Sequence, residues 1–315
     1  MAATPGGVAS AALPAEGMIV SRWTRLLESQ PVLAVALIAP GVLILTIFIA
    51  YPFVMAIWFA LTDISVGVAG KFVGIANFTK AWEDTIFQTA FKNTFFYTFW
   101  ATVFKLSLGM WLALLLNRHF RFKRLIRASM LLPFIIPTVL STFAWRWMFD
   151  PTFSVINWTL YNAGWITDRL PFLSNGDYAM WCAILVNTWR GMPFFAITLL
   201  AGLQTISPDL HEAAALDGAN AWHRFWHVTW PLLLPVTLVV VVFSVIQTFS
   251  DFQLIYVLTG GGPANETHLV ATYAYQIGVA SGLLGQGAAI SLFMFPVLFG
   301  VVWVQLRFLK RMEGA

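Results

Sequence analysis

Charged side chains are scarce in this sequence, and the shortage limits what kind of protein it can be. Of its 315 residues only 10% are Asp, Glu, Lys or Arg, whereas 59% are hydrophobic, and the mean hydropathy is +0.77. A soluble domain of this length carries about 25% charged residues. The composition therefore excludes a surface that meets water throughout, and it predicts an integral membrane protein.

Cysteine is also nearly absent. Cys182 is the single cysteine, so no intrachain disulfide can form, and its place in an apolar run favours a packing role.

The first twenty residues contain Glu16 as their one acidic or basic residue. Without a basic segment ahead of a short apolar core, the pattern predicts no cleaved signal peptide. We expect residues 1–30 to form a disordered cytoplasmic tail.

A net charge of +4 is compatible with nucleic-acid binding, but the distribution of the cations argues against it. Arginines and lysines cluster directly after apolar runs, at 118–127 and again at 307–311. Cations that flank membrane spans are typical topology markers. We therefore expect membrane lipid around this chain and no nucleic-acid partner.

Long apolar runs are abundant. A membrane-spanning helix needs roughly 20 mostly apolar residues. Six stretches meet this length, and they are 32–60, 93–117, 128–149, 179–203, 232–258 and 284–306. The sequence thus predicts an all-α membrane protein with six transmembrane helices and both termini on one side.

The distribution of lysine and arginine between the loops predicts which side that is. If the amino terminus is inside, the exterior loops contain Lys71, Lys80, Lys92 and Arg169. The interior segments then contain the larger set, which comprises Arg22, Arg25, Arg118, Arg121, Lys123, Arg124, Arg127, Arg224, Arg307, Lys310 and Arg311. Because cytoplasmic loops carry the excess of cations, both termini are expected in the cytoplasm.

Three cations lie within or at the edge of predicted spans, where an ionisable group is costly and is a functional candidate by default. They are Lys105, Arg146 and Arg190. Arg146 lies near an outer span end and can reach the interface with its long side chain. Arg190 lies deeper. Lys105 receives no assigned role from the sequence.

The most polar interior segment, residues 207–235, has clear helix signals. Ser207 is a good N-cap, and Pro208 suits the first helical position. Gly218 can supply a left-handed residue at the carboxyl end of that helix. Residues 219–227 are then expected to form a second short helix that stops before Pro231. Two short helices joined at a glycine suit a groove on another protein, although an ordinary connector would have the same local signals.

This segment resembles the EAA loop of ABC importer permeases. The resemblance rests on Glu212, Ala213, Ala214, Asp217, Gly218, Ala219, Phe225, Val228, Pro231 and Pro235. Trp230 and Val228 replace the usual leucine and isoleucine, and neither change removes a polar role. In that family the loop docks on the ATPase, so the resemblance assigns this coupling role to Glu212, Ala213, Ala214, Asp217, Gly218, Ala219 and Phe225.

The resemblance extends over nearly the whole chain. Residues 256–263, which read YVLTGGGP, are similar to the outer end of the fifth span in carbohydrate-type permeases, of the kind typified by the larger maltose-permease subunit. It implies that residues 31–315 form a transmembrane domain of the type I importer fold in the bacterial cytoplasmic (inner) membrane. Expected partners are a second homologous permease in a heterodimer, two cytoplasmic ATPase subunits, an external solute-binding protein and a sugar. No cofactor is expected in this chain, because ATP and magnesium would be bound by the ATPase.

Polar residues in two spans indicate where the solute passes. Ser244, Thr248 and Asp251 are spaced by four and three, which places them on one face of a continuous helix. Asn187 and Arg190 lie in the fourth span, shortly before Pro193. Hydrogen bonding between helices is the plain alternative for the hydroxyl groups. For the whole face, with its carboxylate, we favour a cavity lining.

By resemblance to maltose-type permeases, the sugar-contact positions fall at Phe134, Thr138, Asn187, Arg190, Gly191, Phe194, Ser244, Thr248 and Asp251. Arg190 and Asp251 depart from that pattern, because they bring charge where the family has none. Pairing of the two with each other is the slightly favoured interpretation. The alternative is that Arg190 holds an acidic sugar, since a guanidinium suits oxyanions.

The predicted function is a non-catalytic permease subunit of an ATP-driven importer for a sugar or sugar derivative, including an acidic one. No phosphate-cradling Walker loop is present, so ATP must be bound by another subunit. His211, His223 and His227 lack the companions of a metal site. The alternatives are an ion-coupled secondary transporter and a membrane-embedded enzyme, and the chain offers little support for an ion relay or a catalytic cluster within the spans.

Overall fold

The computed structural model describes residues 30–118 and 121–313 of the chain. Apart from Gln30, the expected amino-terminal tail lies outside these residues and stays a prediction. The chain divides into two compact units, which meet in sequence between Met55 and Ala56.

Helices dominate the described residues. In chain order they are α1 (Gln30–Ala60), α2 (Ala76–Glu83), α3 (Thr85–Asn117), α4 (Lys123–Ile135), α5 (Thr138–Met148), α6 (Val155–Asn162), α7 (Gly176–Leu203), α8 (Pro208–Leu216), α9 (Ala221–Phe249), α10 (Gln253–Leu258), α11 (Val270–Tyr275), α12 (Leu284–Leu292) and α13 (Met294–Glu313).

The predicted all-α membrane fold is confirmed, with up to six candidate spans among the described residues. The described residues include five helical stretches that are long and apolar enough to cross a membrane, and α4 and α5 form a sixth when the bent pair is taken as one span. The five are α1, α3, α7, α9 and the stretch Leu284–Arg311, which joins α12 to α13. The length of each apolar run, which can be read from the sequence, therefore indicates where the candidate spans lie.

Helix α1 passes Pro52 without a break. A π turn at Thr46–Ala50 precedes the proline, and the backbone N–H of Tyr51 donates to the carbonyl of Thr46, five residues back. A proline removes one helical donor and crowds a carbonyl in the preceding turn. Local π adjustment re-satisfies the freed groups, so the span continues to Ala60.

The same arrangement corrects one prediction for the loop at 207–235. The second short helix does not stop before Pro231, because α9 runs without a break from Ala221 to Phe249. A π turn at Phe225–Thr229 again precedes the proline, and the N–H of Trp230 donates to the carbonyl of Phe225. The loop helix and the fifth span are thus one continuous element.

The third span is broken, which the sequence analysis did not anticipate. Helices α4 and α5 meet at an angle of 89°. Ile136 is extended at the break, with φ −62° and ψ 131°, and Pro137 follows it. A residue before proline is pushed out of the helical region by its ring, so the break has a local cause.

The fifth span ends earlier than predicted. Helix α9 stops at Phe249, and Asp251 lies in a short non-helical link before α10. The expectation that Asp251 shares one helical face with Ser244 and Thr248 is therefore wrong, although all three reach the same cavity.

Helices α3 and α7 pack along each other and form the core. One hydrophobic cluster includes Tyr97, Ala101 and Ala183, and Cys182 packs within it as predicted. A second cluster includes Ala113 and further residues of α3 and α7. Between the two clusters, near the middle of both helices, the sequence turns polar, and this position defines the candidate site.

Candidate functional site

A cavity of about 540 Å³ opens between the two hydrophobic clusters. All nine predicted sugar-contact residues line it, namely Phe134, Thr138, Asn187, Arg190, Gly191, Phe194, Ser244, Thr248 and Asp251. Seven others complete the lining, and these are Lys105, Phe195, Phe243, Gln247, Ser250, Phe252 and Gln253. Their chemical mixture of rings, hydroxyls, amides and charges is typical of small-molecule pockets.

The break in the third span positions one aromatic wall of the cavity. Phe134 lies just before the break, and its ring stacks on that of Phe194 with centroids 5.5 Å apart and an interplanar angle of 17°. Phe243 of α9 extends the wall, with its centroid 5.3 Å from that of Phe194. Phe134 and Phe243 are 43% and 47% exposed, so the described residues leave part of each ring uncovered.

Asp251 is held by three donors from three parts of the fold. The Tyr97 hydroxyl donates to its Oδ2 at 2.8 Å, and the Asn187 side-chain amide donates to the same oxygen at 3.1 Å. The backbone N–H of Leu254, in the first turn of α10, donates to Oδ1 at 3.2 Å. The carboxylate thereby joins α3, α7 and α10 across the link that ends the fifth span.

Lys105 is buried to 4% exposure, and its Nζ donates to Oγ1 of Thr248 at 2.8 Å. Its stem lies against Gly191, where a Cβ would approach the lysine Cδ to 2.5 Å. The absence of a side chain at Gly191 therefore makes room for a lysine in the middle of the bundle. Lys105, which has no role predicted from the sequence, lies in the cavity wall.

Arg190 is not paired with Asp251. Both residues lie in the described part of the chain, and no ion pair within 4.0 Å joins them. The contact pairing that the sequence favoured is therefore not formed, and the carboxylate instead accepts from Tyr97, Asn187 and the backbone N–H of Leu254. The Nε of Arg190 is buried without a hydrogen-bond partner among the described residues.

Two other buried polar atoms in the cavity wall also lack partners among the described residues. They are the Oδ1 of Asn187 and the Oγ of Ser244. A buried polar group without a hydrogen bond costs about 1–3 kcal/mol. Acceptor and donor positions of this kind suit a polyhydroxylated solute.

The loop at 207–235 has the capping geometry that the sequence predicts. The Ser207 side chain accepts from the N–H of Asp209 at 3.3 Å, and Pro208 begins α8. Gly218 has φ +82°. The N–H of Gly218 donates to the carbonyl of Ala215 at 3.1 Å, and the N–H of Ala219 donates to that of Ala214 at 2.9 Å. These two bonds form a Schellman motif.

The predicted coupling residues divide into an exposed and an anchoring set. Glu212, Ala213, Asp217 and Gly218 are exposed, whereas Ala214, Ala219 and Phe225 are half-buried. Phe225 packs against the second hydrophobic cluster, which ties the loop to the spans. Apolar side chains nevertheless point outward, since Leu216 is 89% and Trp222 is 68% exposed.

The glycine-rich segment after α10 folds back on a buried histidine. Thr267 Oγ1 donates to the carbonyl of Gly262, and the Nδ1 of His268 lies 3.1 Å from Oγ1 of Thr272. The ring of His268 packs against Gly261 and Tyr273. Burial lowers the pKa of His268 below its ordinary value, and a contact with the Gln276 side chain opposes this only partly.

Two site residues have no role predicted from the sequence. For Lys105 the sequence does carry a signal, because a cation within an apolar span is costly. Tyr97 carries no local signal, because it lies 154 residues before the carboxylate it contacts.

Residues 105–314 match the family of binding-protein-dependent transport system inner membrane components. The chain is 33% identical over 292 residues to the sulfoquinovosyl glycerol transport system permease of Agrobacterium fabrum, covering 92% of this chain and 94% of the relative. It is 30% identical over 285 residues to the trehalose/maltose transport system permease of Thermococcus litoralis, covering 90% and 96%.

A solved structure has the same fold. It is a chain of a bacterial ABC transporter involved in the import of the acidic polysaccharide alginate, with a TM-score of 0.78 at 23% identity. The match covers 89% of this chain and 95% of that one. The predicted fold of an ABC importer permease is confirmed.

Proposed function

Because the chain belongs to the family of binding-protein-dependent transport system inner membrane components, we propose that it forms half of the path by which an ATP-driven importer carries a sugar or sugar derivative inward. The carrying observation is the cavity at the middle of α3 and α7, which is lined by all nine positions at which maltose-type permeases are expected to contact sugar. The two relatives described above are named for carbohydrate solutes.

The chemistry of the cavity supports a sugar. The wall of Phe134, Phe194 and Phe243 offers apolar ring faces for sugar C–H groups. Asn187 and Ser244 supply polar groups to the same cavity, and their buried oxygens have no hydrogen-bond partner among the described residues. A pocket with stacking faces and a few fixed polar groups suits an amphipathic ring better than an ion alone.

The loop at 207–235 is proposed to receive the motion of an ATPase. Its helix α8 is capped at both ends, so it can act as a rigid lever, and exposed Leu216 and Trp222 offer apolar surface for docking. Because α9 continues from this loop into the cavity wall at Ser244 and Thr248, movement of the loop reaches the solute site directly. Two conformations with different docking then give outward and inward openings.

The proposed assembly contains this chain, a second homologous permease, two ATPase subunits that bind ATP and magnesium, and an external solute-binding protein. We place it in the bacterial inner membrane with both termini and the loop at 207–235 in the cytoplasm. The cationic residues after α3 and α13 favour this orientation.

Isolation of the chain from its native membrane tests this function. We expect a stable complex that contains an ATPase subunit, and Glu212→Lys should release that subunit, while the exposed outer-loop change Lys71→Glu should not. A chain that purifies alone and takes up solute in response to a proton or sodium gradient would contradict the proposal and favour a secondary transporter.

A further inference from the structure

We propose that the transported solute carries an anionic group, and that Arg190 and Lys105 bind this group within the cavity. This inference rests on the proposed transport function and specifies the class of solute. Its observations are the charges of the cavity wall and the way in which the carboxylate of Asp251 is already occupied.

The cavity wall has an excess of positive charge. Lys105 and Arg190 face one carboxylate, Asp251. An uncompensated charge at the depth of a span is costly and marks substrate pathways. A bound anion would restore the balance.

Asp251 does not neutralise Arg190 by contact. Its oxygens accept from Tyr97, Asn187 and the N–H of Leu254, and no ion pair within 4.0 Å links the two described side chains. The carboxylate therefore serves the fold, while the guanidinium keeps donor capacity. Its buried Nε is unpartnered among the described residues.

Lys105 is placed to support the same anion. Its stem runs beside Gly191, the next residue after Arg190, and its ammonium group binds Thr248 on the cavity wall. An ammonium group has three donors, and this structure uses one of them on a protein acceptor. A guanidinium and a neighbouring ammonium group can donate charge-assisted hydrogen bonds to the oxygens of a carboxylate, sulfonate or phosphate.

The remaining lining is neutral and matches the rest of a sugar. Phe134 and Phe194 stack beside the charged residues, and Ser244 and Asn187 supply hydroxyl and amide groups. The geometry thus favours an acidic sugar over a simple inorganic anion, which would leave the aromatic wall without a partner.

The test uses the full complex, isolated through its ATPase subunit, and three probes of one size class: glucose, glucuronate and 6-deoxy-6-sulfoglucose. Thermal unfolding of the complex is followed as each probe is titrated, since a ligand that binds the folded state raises its stability. At least one anionic sugar should stabilise the complex where glucose does not. In Arg190→Gln its apparent Kd should rise about 10- to 100-fold, the loss expected for hydrogen bonds to a charged group.

Arg190→Lys and Lys105→Gln should each give smaller rises. Arg146→Gln is the matched control, because it also removes one arginine from a span, and Arg146 does not line the cavity but binds the carbonyl of Val257. It should leave the probe response unchanged. The inference would be overturned if all three sugars stabilised the complex equally, or if none of them stabilised it. An unchanged apparent Kd of the anionic sugar in Arg190→Gln would also overturn it.

The outcome is separable from the proposed function. Recovery of the ATPase subunit and stimulation of ATP hydrolysis by the binding protein depend on the loop at 207–235 and are measured in the same preparations. If both persist while the charged probes fail, the importer assignment stands and the anionic solute is wrong. If neither is found, the proposed function itself is wrong.

Discussion

Removal of the Asp251 side chain should destabilise the folded protein as well as impair transport. In Asp251→Ala the hydroxyl of Tyr97, which is 0% exposed, loses its acceptor. The bond from the N–H of Leu254 is also lost, and a hydrogen bond of this kind contributes about 1 kcal/mol.

The expected loss in the free energy of unfolding is about 2.5–4 kcal/mol. The hydrogen bond from Tyr97 to the charged carboxylate contributes about 1.5–3 kcal/mol, and the bond from the N–H of Leu254 contributes about 1 kcal/mol. Water in the cavity can replace the bond from Asn187, so that bond adds nothing to the loss. Asp251→Asn keeps an oxygen for Tyr97 and should lose about half as much.

Unfolding of the purified complex in detergent, followed by SDS titration, measures these differences. Asn157→Ala gives a reference for the loss of a buried polar side chain outside the cavity, since its amide binds the carbonyl of Leu170. Ordinary surface substitutions change the free energy of unfolding by about 0.5 kcal/mol or less. If the free energy of unfolding of Asp251→Ala differs from that of the parent by no more than this, Asp251 does not hold the link and the reasoning is refuted.

Three other perturbations have expected outcomes. Gly218→Ala forces a side chain into φ +82° at a cost of about 1–2 kcal/mol, so affinity for the ATPase should fall about 5- to 30-fold, whereas Gly218→Asn should be milder; equal affinities by titration of the ATPase would contradict this. Pro137→Ala removes the restriction on Ile136, so the 89° break should relax and solute uptake should fall with ATPase binding unchanged; normal uptake would count against a role of the break. Because burial lowers the pKa of His268, its neutral form stabilises the outer segment, and this contribution is lost as the pH falls below about 6.5, the ordinary pKa of histidine. The protection factors of residues 259–269, which are hydrogen-exchange rates corrected for the intrinsic effect of pH, should therefore fall in acid, and the same fall in His268→Gln would refute the reasoning.

Features set by local chemistry were predictable from the sequence. Apolar length marked every span, and Ser207, Pro208 and Gly218 marked the ends of α8 because their own backbone preferences favour helix ends. The break at Ile136 had a local signal too, the pre-proline restriction, which a scan for long apolar runs passes over.

Contacts between distant segments were not predictable in this way. Tyr97 reaches Asp251 across 154 residues, and Lys105 reaches Thr248 across 143. Nothing in either neighbourhood indicates which acceptor will be near. The supposed pairing of Arg190 with Asp251 failed for the same reason, because competing donors from α3 and α10 are visible only in the fold. The nine sugar-contact positions were found by resemblance, and their convergence on one cavity is a structural observation, whereas their contact with solute remains a prediction.

Uptake into proteoliposomes tests whether this chain couples a cytoplasmic ATPase to a solute path. The assembled complex is reconstituted with its binding protein outside and ATP inside, and entry of the solute that the binding protein retains is measured. We predict uptake that requires ATP and the binding protein, and that is abolished by Glu212→Lys. Uptake without ATP, driven by an ion gradient and indifferent to Glu212→Lys, would contradict the account.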